Sequence, residues 1–559
     1  MLSFNFPSKF FLIAIAIAAL AEAASIPASI EKRPNIIVIQ PDDHLFLEEW
    51  TPPARFDRQT STPTSFTSID SADYISPVPN INRIKNHGLE MTNAYAASTM
   101  CGTSRYSTLT GRLPSRSSYG RQIDQNEWNY FDGGNDFLRK VTIPRTKLED
   151  TWGVPDSRDC TSNNLAATLK QNGYSTGVVG KWHLEDTEGE EGALYDYYPW
   201  VQDKVRHCGF DFAEAIYREN LNSGGGEYNV DGGLVTHNME HLTAEAIRFI
   251  HESVGVDMPN DNRKKRKLEE TIDETKDDGN PFFLYFNPTV PHDSGDVTDA
   301  LRSGNCKNTV QGWLPEAPYI PYGMTADFNN CYEYRQSVLQ RAARSEVSMN
   351  RDKLAGAVWI DDAIGSLFQT LEALDILDNT LILFQLDHGM DAKGSLFEGG
   401  SKIVQFVHYP DQIKVDHQNN SANNVMLHQD EAAATSPQGW KFEGLVSTID
   451  IAPTLMDLAG VPLAAETAER GQPRYQMDGK SWFSEMLAAN AGNREDFLPQ
   501  KQQRQQKPMP AEENYFQERC LFTEEGLDRS VRCGCYKYIY ISDPSSGFTV
   551  RDASKYTAS

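Results

Sequence analysis

Positive charge is the scarcer sign in this chain: 52 Lys and Arg stand against 78 Asp and Glu, a net charge of −26. Such a balance repels nucleic acid and anionic membrane surfaces, and argues against both as partners. Long apolar runs are also scarce. The stretch Phe10 to Leu20 falls short of the roughly 20 residues that cross a bilayer, and no later stretch is long enough, so no membrane span is expected. There is no internal repeat and no dominating low-complexity tract. With 39% hydrophobic and 23% charged residues, wholesale disorder is excluded.

Lys9, the apolar run to Leu20 and the small-x-small pattern Ala21-Glu22-Ala23 read as a secretory signal peptide over residues 1–23; the competing reading is a membrane anchor. Export to the cell exterior or a lysosome-like lumen puts the eight cysteines (101, 160, 208, 306, 331, 520, 533 and 535) in an oxidising compartment where disulfides persist. Pairing is not readable from sequence. Reserving Cys101 for chemistry leaves an odd number, and Cys533 and Cys535 stand too close for an easy mutual bridge, so each is expected to look elsewhere. The sequon Asn419-Asn420-Ser421 fits a glycosylated surface loop. Lys264-Lys265-Arg266-Lys267 sits among Glu269, Glu270 and Asp273 and reads as a solvated insert.

At 559 residues the chain exceeds the roughly 250–300 at which one core stops growing, so a large domain with a smaller partner is expected. Short apolar runs alternate with helical patterns, the signature of an α/β fold: a large, mostly parallel sheet sandwiched by helices. The clearest strands are Asn35 to Gln40, Ser175 to Val179, Pro281 to Phe286 and Thr380 to Leu386. Leu242 to Glu252, Lys353 to Leu374 and Asp450 to Leu458 are the helical candidates, the last ending before Gly460. We place the main domain at residues 33–465 and a smaller subdomain at 466–559. Within the latter, Gln500 to Gln506 reads as linker and Val531 to Ile541 as part of a small antiparallel sheet.

The polar residues directly after the strands are informative. Asp42 and Asp43 come after the first, Lys181 and His183 after the second, His292 after the third, and Asp387 and His388 after the fourth. Loops leaving the carboxyl ends of parallel strands gather at one edge, where such folds bind ligands. Three carboxylates and an imidazole meeting there would repel one another unless a cation held them, and oxygen-rich ligands suit calcium, or magnesium as the stricter alternative. Lys181, His183, His292 and Lys393 would ring that ion with donors suited to a tetrahedral oxyanion, sulfate or phosphate. Singly, each has a bland reading: an Asp pair as turn or cap, a Lys as a solvated side chain.

Cys101-Gly102-Thr103-Ser104-Arg105, followed by Thr108-Leu109-Thr110-Gly111-Arg112, resembles the sulfatase signature C-x-P-S-R-x-x-x-L-T-G-R. The resemblance extends to Pro41-Asp42-Asp43, Gly180-Lys181-Trp182-His183, the His292 segment, Asp387-His388-Gly389 and Lys393 to Gly400, in family order. It implies an alkaline-phosphatase-like fold and hydrolysis of sulfate esters by a cysteine that a formylglycine-generating enzyme oxidises to formylglycine. It also implies Asp42, Asp43, Asp387 and His388 as metal ligands alongside the modified Cys101, although many members carry Asn where His388 stands. Arg105 would hold the modified side chain, and Lys181, His183, His292 and Lys393 would grip the sulfate and help the leaving group.

The substrate would be a sulfated small molecule or carbohydrate. A hydrated aldehyde suits the task, since one oxygen can attack sulfur and a second expel sulfate. Thr103 departs from the family's Pro, which favours the extended peptide that the converting enzyme reads. An inactive relative with a buried or disulfide-bonded Cys101 is the alternative that this departure raises. Further alternatives are a phosphodiesterase or phosphonate monoester hydrolase of the same superfamily, and a non-catalytic secreted glycan-binding relative. The chain also reaches Ser559 without the family's usual acidic Leu-Tyr-Asp-Leu segment: either the C-terminal sheet is abbreviated or the sequence is incomplete, with fold stability affected more than the chemistry, which lies upstream.

Overall fold

The structure is a computed structural model that describes residues 32–44, 77–116, 164–184, 194–217, 229–230, 233–234, 236–259, 280–292, 296–344, 351–411, 413, 439–461, 477–484, 515–525 and 528–541. The expected signal peptide, the sequon, the basic run at Lys264, the Gln-rich run read as linker and Cys160 lie outside the described residues.

Nine strands build the main sheet: β1 (Asn35–Ile39), β2 (Leu89–Tyr95), β3 (Ser175–Lys181), β4 (Phe212–Tyr217), β5 (Phe282–Asn287), β6 (Thr380–Gln385), β7 (Lys402–Ile403), β8 (Gln405–His408) and β9 (Trp440–Ser447). Their order is β7-β2-β8-β6-β1-β5-β3-β4, with β9 also pairing β2. The central pairs β6-β1, β1-β5, β5-β3 and β3-β4 are parallel, as is β2-β9, whereas β8 runs antiparallel to both β6 and β2. Every residue of β1, β5 and β6 is buried. That is why these strands read as continuous apolar runs and not as alternating ones: helices cover both faces of the sheet.

Among those helices, Met239–Ser253 and Arg351–Ala373 include the two expected from periodicity. The third, Ile451–Leu458, starts after a 3-10 turn at Thr448–Asp450 whose Ser447 and Asp450 side chains cap it reciprocally. Asp450 is buried and meets Arg519 at 2.5 Å, which ties the C-terminal segment to this turn.

A separate antiparallel sheet comprises β10 (Cys520–Glu525), β11 (Asp528–Cys533) and β12 (Tyr536–Tyr540). Cys520 stands opposite Cys533 in register and is disulfide-bonded to it; Cys306 pairs with Cys331, and Cys208 is also bridged. The expectation that Cys533 and Cys535 both find partners is corrected, since Cys535 is exposed and free and is the odd thiol. A β-strand spaces its side chains alternately, so Cys533 can face Cys520 while the turn at Gly534 carries Cys535 away.

Because β2 is antiparallel to β8, and β8 to β6, the strand β2 points the same way as the parallel set. The carboxyl ends of β1, β2, β3, β5 and β6 therefore share one edge. In β3, the register against β4 slips between Val179 and Gly180, and Gly180 adopts φ +101. A Cβ there would lie 2.0 Å from the Asn287 carbonyl oxygen. The slip sets the direction in which Lys181 leaves the sheet. Gly180→Ala combines left-handed strain with a backbone clash and should cost about 3 kcal/mol or more in denaturant unfolding. A loss below about 1 kcal/mol would show that the bulge yields freely.

Candidate active site and metal centre

The helix Cys101–Thr110 follows β2 and presents Cys101 as its first residue. Its sequence is mostly polar, yet every residue but Gly102 is buried: Tyr106 and Leu109 join the core, and hydrogen bonds hold the polar remainder. Thr108 Oγ1 accepts from the Gln385 amide at 3.0 Å and from the Gln40 amide at 3.4 Å; Ser104 donates to the Asp387 carbonyl. Gly111 ends the helix at φ 67, the left-handed conformation that glycine adopts without strain. Gly102 is small for a reason: a Cβ there would lie 3.0 Å from the His183 carbonyl oxygen.

Around the thiol the four polar clusters converge. Cys101 Sγ lies 3.3 Å from His388 Nε2 and 4.0 Å from Asp43 Oδ1. Asp43, at φ 56, accepts from Lys393 Nζ at 2.7 and 2.9 Å and lies 3.2 Å from His388 Nε2 and 3.6 Å from His292 Nε2. Asp42 takes Lys181 Nζ at 2.6 Å. Arg105 is fully buried, with Nη2 equidistant at 3.6 Å from carboxylate oxygens of Asp42 and Asp387. Asp387 Oδ1 accepts from the His388 and Asp43 backbone amides at 3.0 and 3.3 Å. Every residue singled out from the sequence is thus in this one cluster, with His183 packed against the first turn of the helix.

Bringing these acids together carries an electrostatic cost. Two carboxylates 4 Å apart repel by about 4 kcal/mol even at an effective dielectric of ~20. Burial raises Asp42, but Lys181, His292, Arg105 and Lys393 together hold it well below the usual carboxylate range. Asp43 is likewise lowered: burial and Asp42 oppose, and His388 and Lys393 prevail. Asp387 goes the other way, pushed up by burial, because Cys101 and Asp42 offset the help from His388 and Arg105. His388 is raised well above the usual imidazole range; burial opposes, and Asp387, Cys101 and Asp43 outweigh it. His183 is lowered, first by burial and then by Lys181, so its imidazole is neutral, with a buried Nδ1 that has no hydrogen-bond partner.

A cation fits this arrangement. Asp42 Oδ1 and Asp387 Oδ2 are buried oxygens without a hydrogen-bond partner, and ligand atoms of Asp43, Cys101, Asp387 and His388 lie within 4.8 Å of one another. Orphaned carboxylate oxygens in a buried site are what a hard divalent ion satisfies.

A sulfatase family model matches residues 64–461. The chain belongs to the sulfatase family. It is therefore a sulfuric ester hydrolase by descent. It is 22% identical to the N-acetylglucosamine-6-O-sulfatase of Bacteroides thetaiotaomicron, over 84% of this chain and 76% of that one. It is 24% identical to the human N-acetylgalactosamine-6-sulfatase, over 68% of this chain and 61% of the human protein. Among solved structures it is similar to a Pseudoalteromonas sp. sulfatase, at 17% identity and TM-score 0.46, covering 97% of this chain and 84% of that one.

Three contributors to the sulfatase site carried no signal in the sequence. Lys353, on the helix Arg351–Ala373, donates to the Pro291 carbonyl at 2.6 Å and the Asp43 carbonyl at 3.4 Å, joining two site loops. Gln40 accepts from the Tyr285 hydroxyl beneath Arg105. Glu525, at the end of β10, reaches Thr99 and Ser98 just before Cys101. Burial pushes the Glu525 carboxyl up to about 7, against hydrogen bonds from Thr99 and Ser98. None sits in a recognisable motif, and a Lys inside a long helix or a Glu at a strand end reads as solvated until the fold is known.

Cys101 is buried and not disulfide-bonded. Burial and Asp42 push its thiol up, but Lys181, Lys393 and His388 bring it down to about 6. In metal-free, unoxidised protein the thiolate should form as pH rises through about 6, as read by the ultraviolet absorbance difference between the parent and Cys101→Ser. A midpoint above pH 8 would show that the lysines do not act on the sulfur.

Proposed function

We propose that this sulfatase hydrolyses sulfate esters of carbohydrates through a formylglycine made from Cys101, beside a calcium ion held by Asp42, Asp43, Asp387 and His388. The observation that carries the reading is the meeting of five strand ends at one thiol, with Cys101 Sγ 3.3 Å from His388 Nε2 and Asp43 bridging His388 and Lys393. Carbohydrate substrates are favoured by the activities for which the relatives are named, which are those of amino-sugar sulfatases. Calcium is preferred to magnesium because magnesium demands near-ideal octahedral geometry, a stricter requirement than calcium's.

Oxidised to formylglycine and held beside the ion, position 101 would supply a hydrated aldehyde oxygen to attack sulfur. Arg105, buried between Asp42 and Asp387, keeps those carboxylates fixed while facing the same cluster. Lys181 and Lys393 are placed to share their charge between the acids they touch and the oxygens of a sulfate, where charge grows in the transition state. His292, next to Asp43, is our candidate for protonating the departing alcohol, and neutral His183 for assisting the later collapse.

Secretion fits the same reading, since the bridges Cys306–Cys331 and Cys520–Cys533 need an oxidising compartment. Among the described residues, no helix is long and apolar enough to cross a membrane. We retain the division at about residue 465: a catalytic domain before it and a smaller C-terminal subdomain built on β10, β11 and β12.

Cys101→Ala should lower turnover of an aryl sulfate by at least about a thousandfold while leaving the unfolding midpoint unchanged. Parental turnover in that variant would remove Cys101 from the chemistry, and a strong parental preference for the matching aryl phosphate would reassign the reaction. Asp387→Asn should weaken calcium binding, followed by titration calorimetry, by about tenfold or more, as expected when a ligand charge is lost. Unchanged affinity would place the ion elsewhere.

A further inference from the structure

The strand β10 is remote from Cys101 in sequence, yet its last two residues grip both ends of the cysteine helix. Beyond the C-terminal end of the helix, the Glu524 carboxylate accepts from the Ser115 backbone amide at 2.7 Å and from its hydroxyl at 2.8 Å. Ahead of the helix, the Glu525 carboxylate accepts from Thr99 Oγ1 at 2.8 Å and from Ser98 Oγ at 3.2 Å. Ser98 Oγ, having given its proton to Glu525, accepts in turn from Thr103 Oγ1 in the first turn of the helix. The Thr99 carbonyl receives the Gly394 amide at 3.2 Å, the residue after Lys393.

We infer that Glu525 is a positioning residue for the reaction. Its carboxylate fixes Thr99 and Ser98, and through them the first turn that aims side chain 101 and the loop that carries Lys393. The inference rests on the reading that position 101 supplies the nucleophile.

The sheet does not need this carboxylate in order to dock. Glu524 N donates to the Ala97 carbonyl at 2.8 Å, Thr523 Oγ1 to the Ala96 carbonyl at 3.1 Å, and Arg519 pairs with Asp450. Removing only the Glu525 carboxylate therefore leaves β10 seated and takes away the acceptor shared by the two hydroxyls that precede Cys101. Small displacements at that point matter, because a misplacement of about 1 Å at a reacting group can cost about a hundredfold in rate. An amide oxygen in place of the carboxylate still accepts from both hydroxyls.

The test compares full-length Glu525→Ala and Glu525→Gln with the parent on 4-nitrophenyl sulfate, with rates normalised to the fraction of converted residue 101 measured by peptide mass. Glu525→Ala should lose about tenfold or more in kcat with KM within about threefold, and Glu525→Gln should recover to within about threefold of the parent. Hydrogen exchange supplies a readout independent of turnover: amides across 97–105 should exchange about tenfold faster in Glu525→Ala, with β5 unchanged.

Parental kcat together with parental exchange in Glu525→Ala would overturn the inference. So would equal impairment of Glu525→Gln with exchange rising across β5, which would make the carboxylate a general support of the fold. Cys101→Ala assayed alongside separates the two readings: if it turns over like the parent, the proposed nucleophile falls, while exchange at 97–105 still decides Glu525.

Discussion

The arrangement depends on holding Asp42, Asp43 and Asp387 together out of water. Each is buried, and each has been matched with cationic or donor groups from other parts of the chain: Lys181 and Arg105 on Asp42, Lys393 and His388 on Asp43, backbone amides on Asp387. Buried charge persists only where partners are supplied at short range, so these ion pairs dictate where the loops after β1, β3 and β6 must run. The Asp42 and Asp387 oxygens that face Arg105 at 3.6 Å accept no hydrogen bond, which suits them to a further cation.

The cysteine helix meets a related constraint. Apart from Tyr106 and Leu109, which join the hydrophobic core, the helix is made of Cys, Gly, Thr, Ser and Arg, and still it lies buried in the middle of the molecule. Its place is determined by specific hydrogen bonds to Gln40, Gln385 and Asp387, the residues at the ends of β1 and β6. Satisfied networks of this kind specify one geometry, since any shift leaves buried donors unpaired. Cys101 consequently shares its supports with the acids it faces.

The C-terminal sheet is part of the same construction. On its inner side Arg532 and Lys537 reach Glu398 at 3.3 and 3.2 Å, and Lys537 reaches Ser401 at 2.6 Å, bracing the segment after Lys393. Glu524 and Glu525 brace the other side of Cys101. The sheet thus contacts the segments that carry the candidate reacting groups, which themselves lie upstream of it in the chain.

Much of the fold was legible because burial on both faces leaves a simple trace. Asn35–Ile39, Phe282–Asn287 and Thr380–Gln385 are buried throughout and apolar in their interiors, and polar residues clustered after them announced the shared edge. Chain order and residue type alone therefore determined the α/β class, the sulfatase resemblance and the identity of the acids, bases and cysteine that gather there. Only the tertiary structure decided that Lys353 and Glu525 join them, that Cys535 and not a partner of Cys101 is the spare thiol, and how each charge is paired. The physical reason is range: strand and helix patterns are written in neighbouring residues, whereas a contact such as Glu525 to Thr99 spans a sequence separation of 426 and exists only once the sheet has brought its ends together.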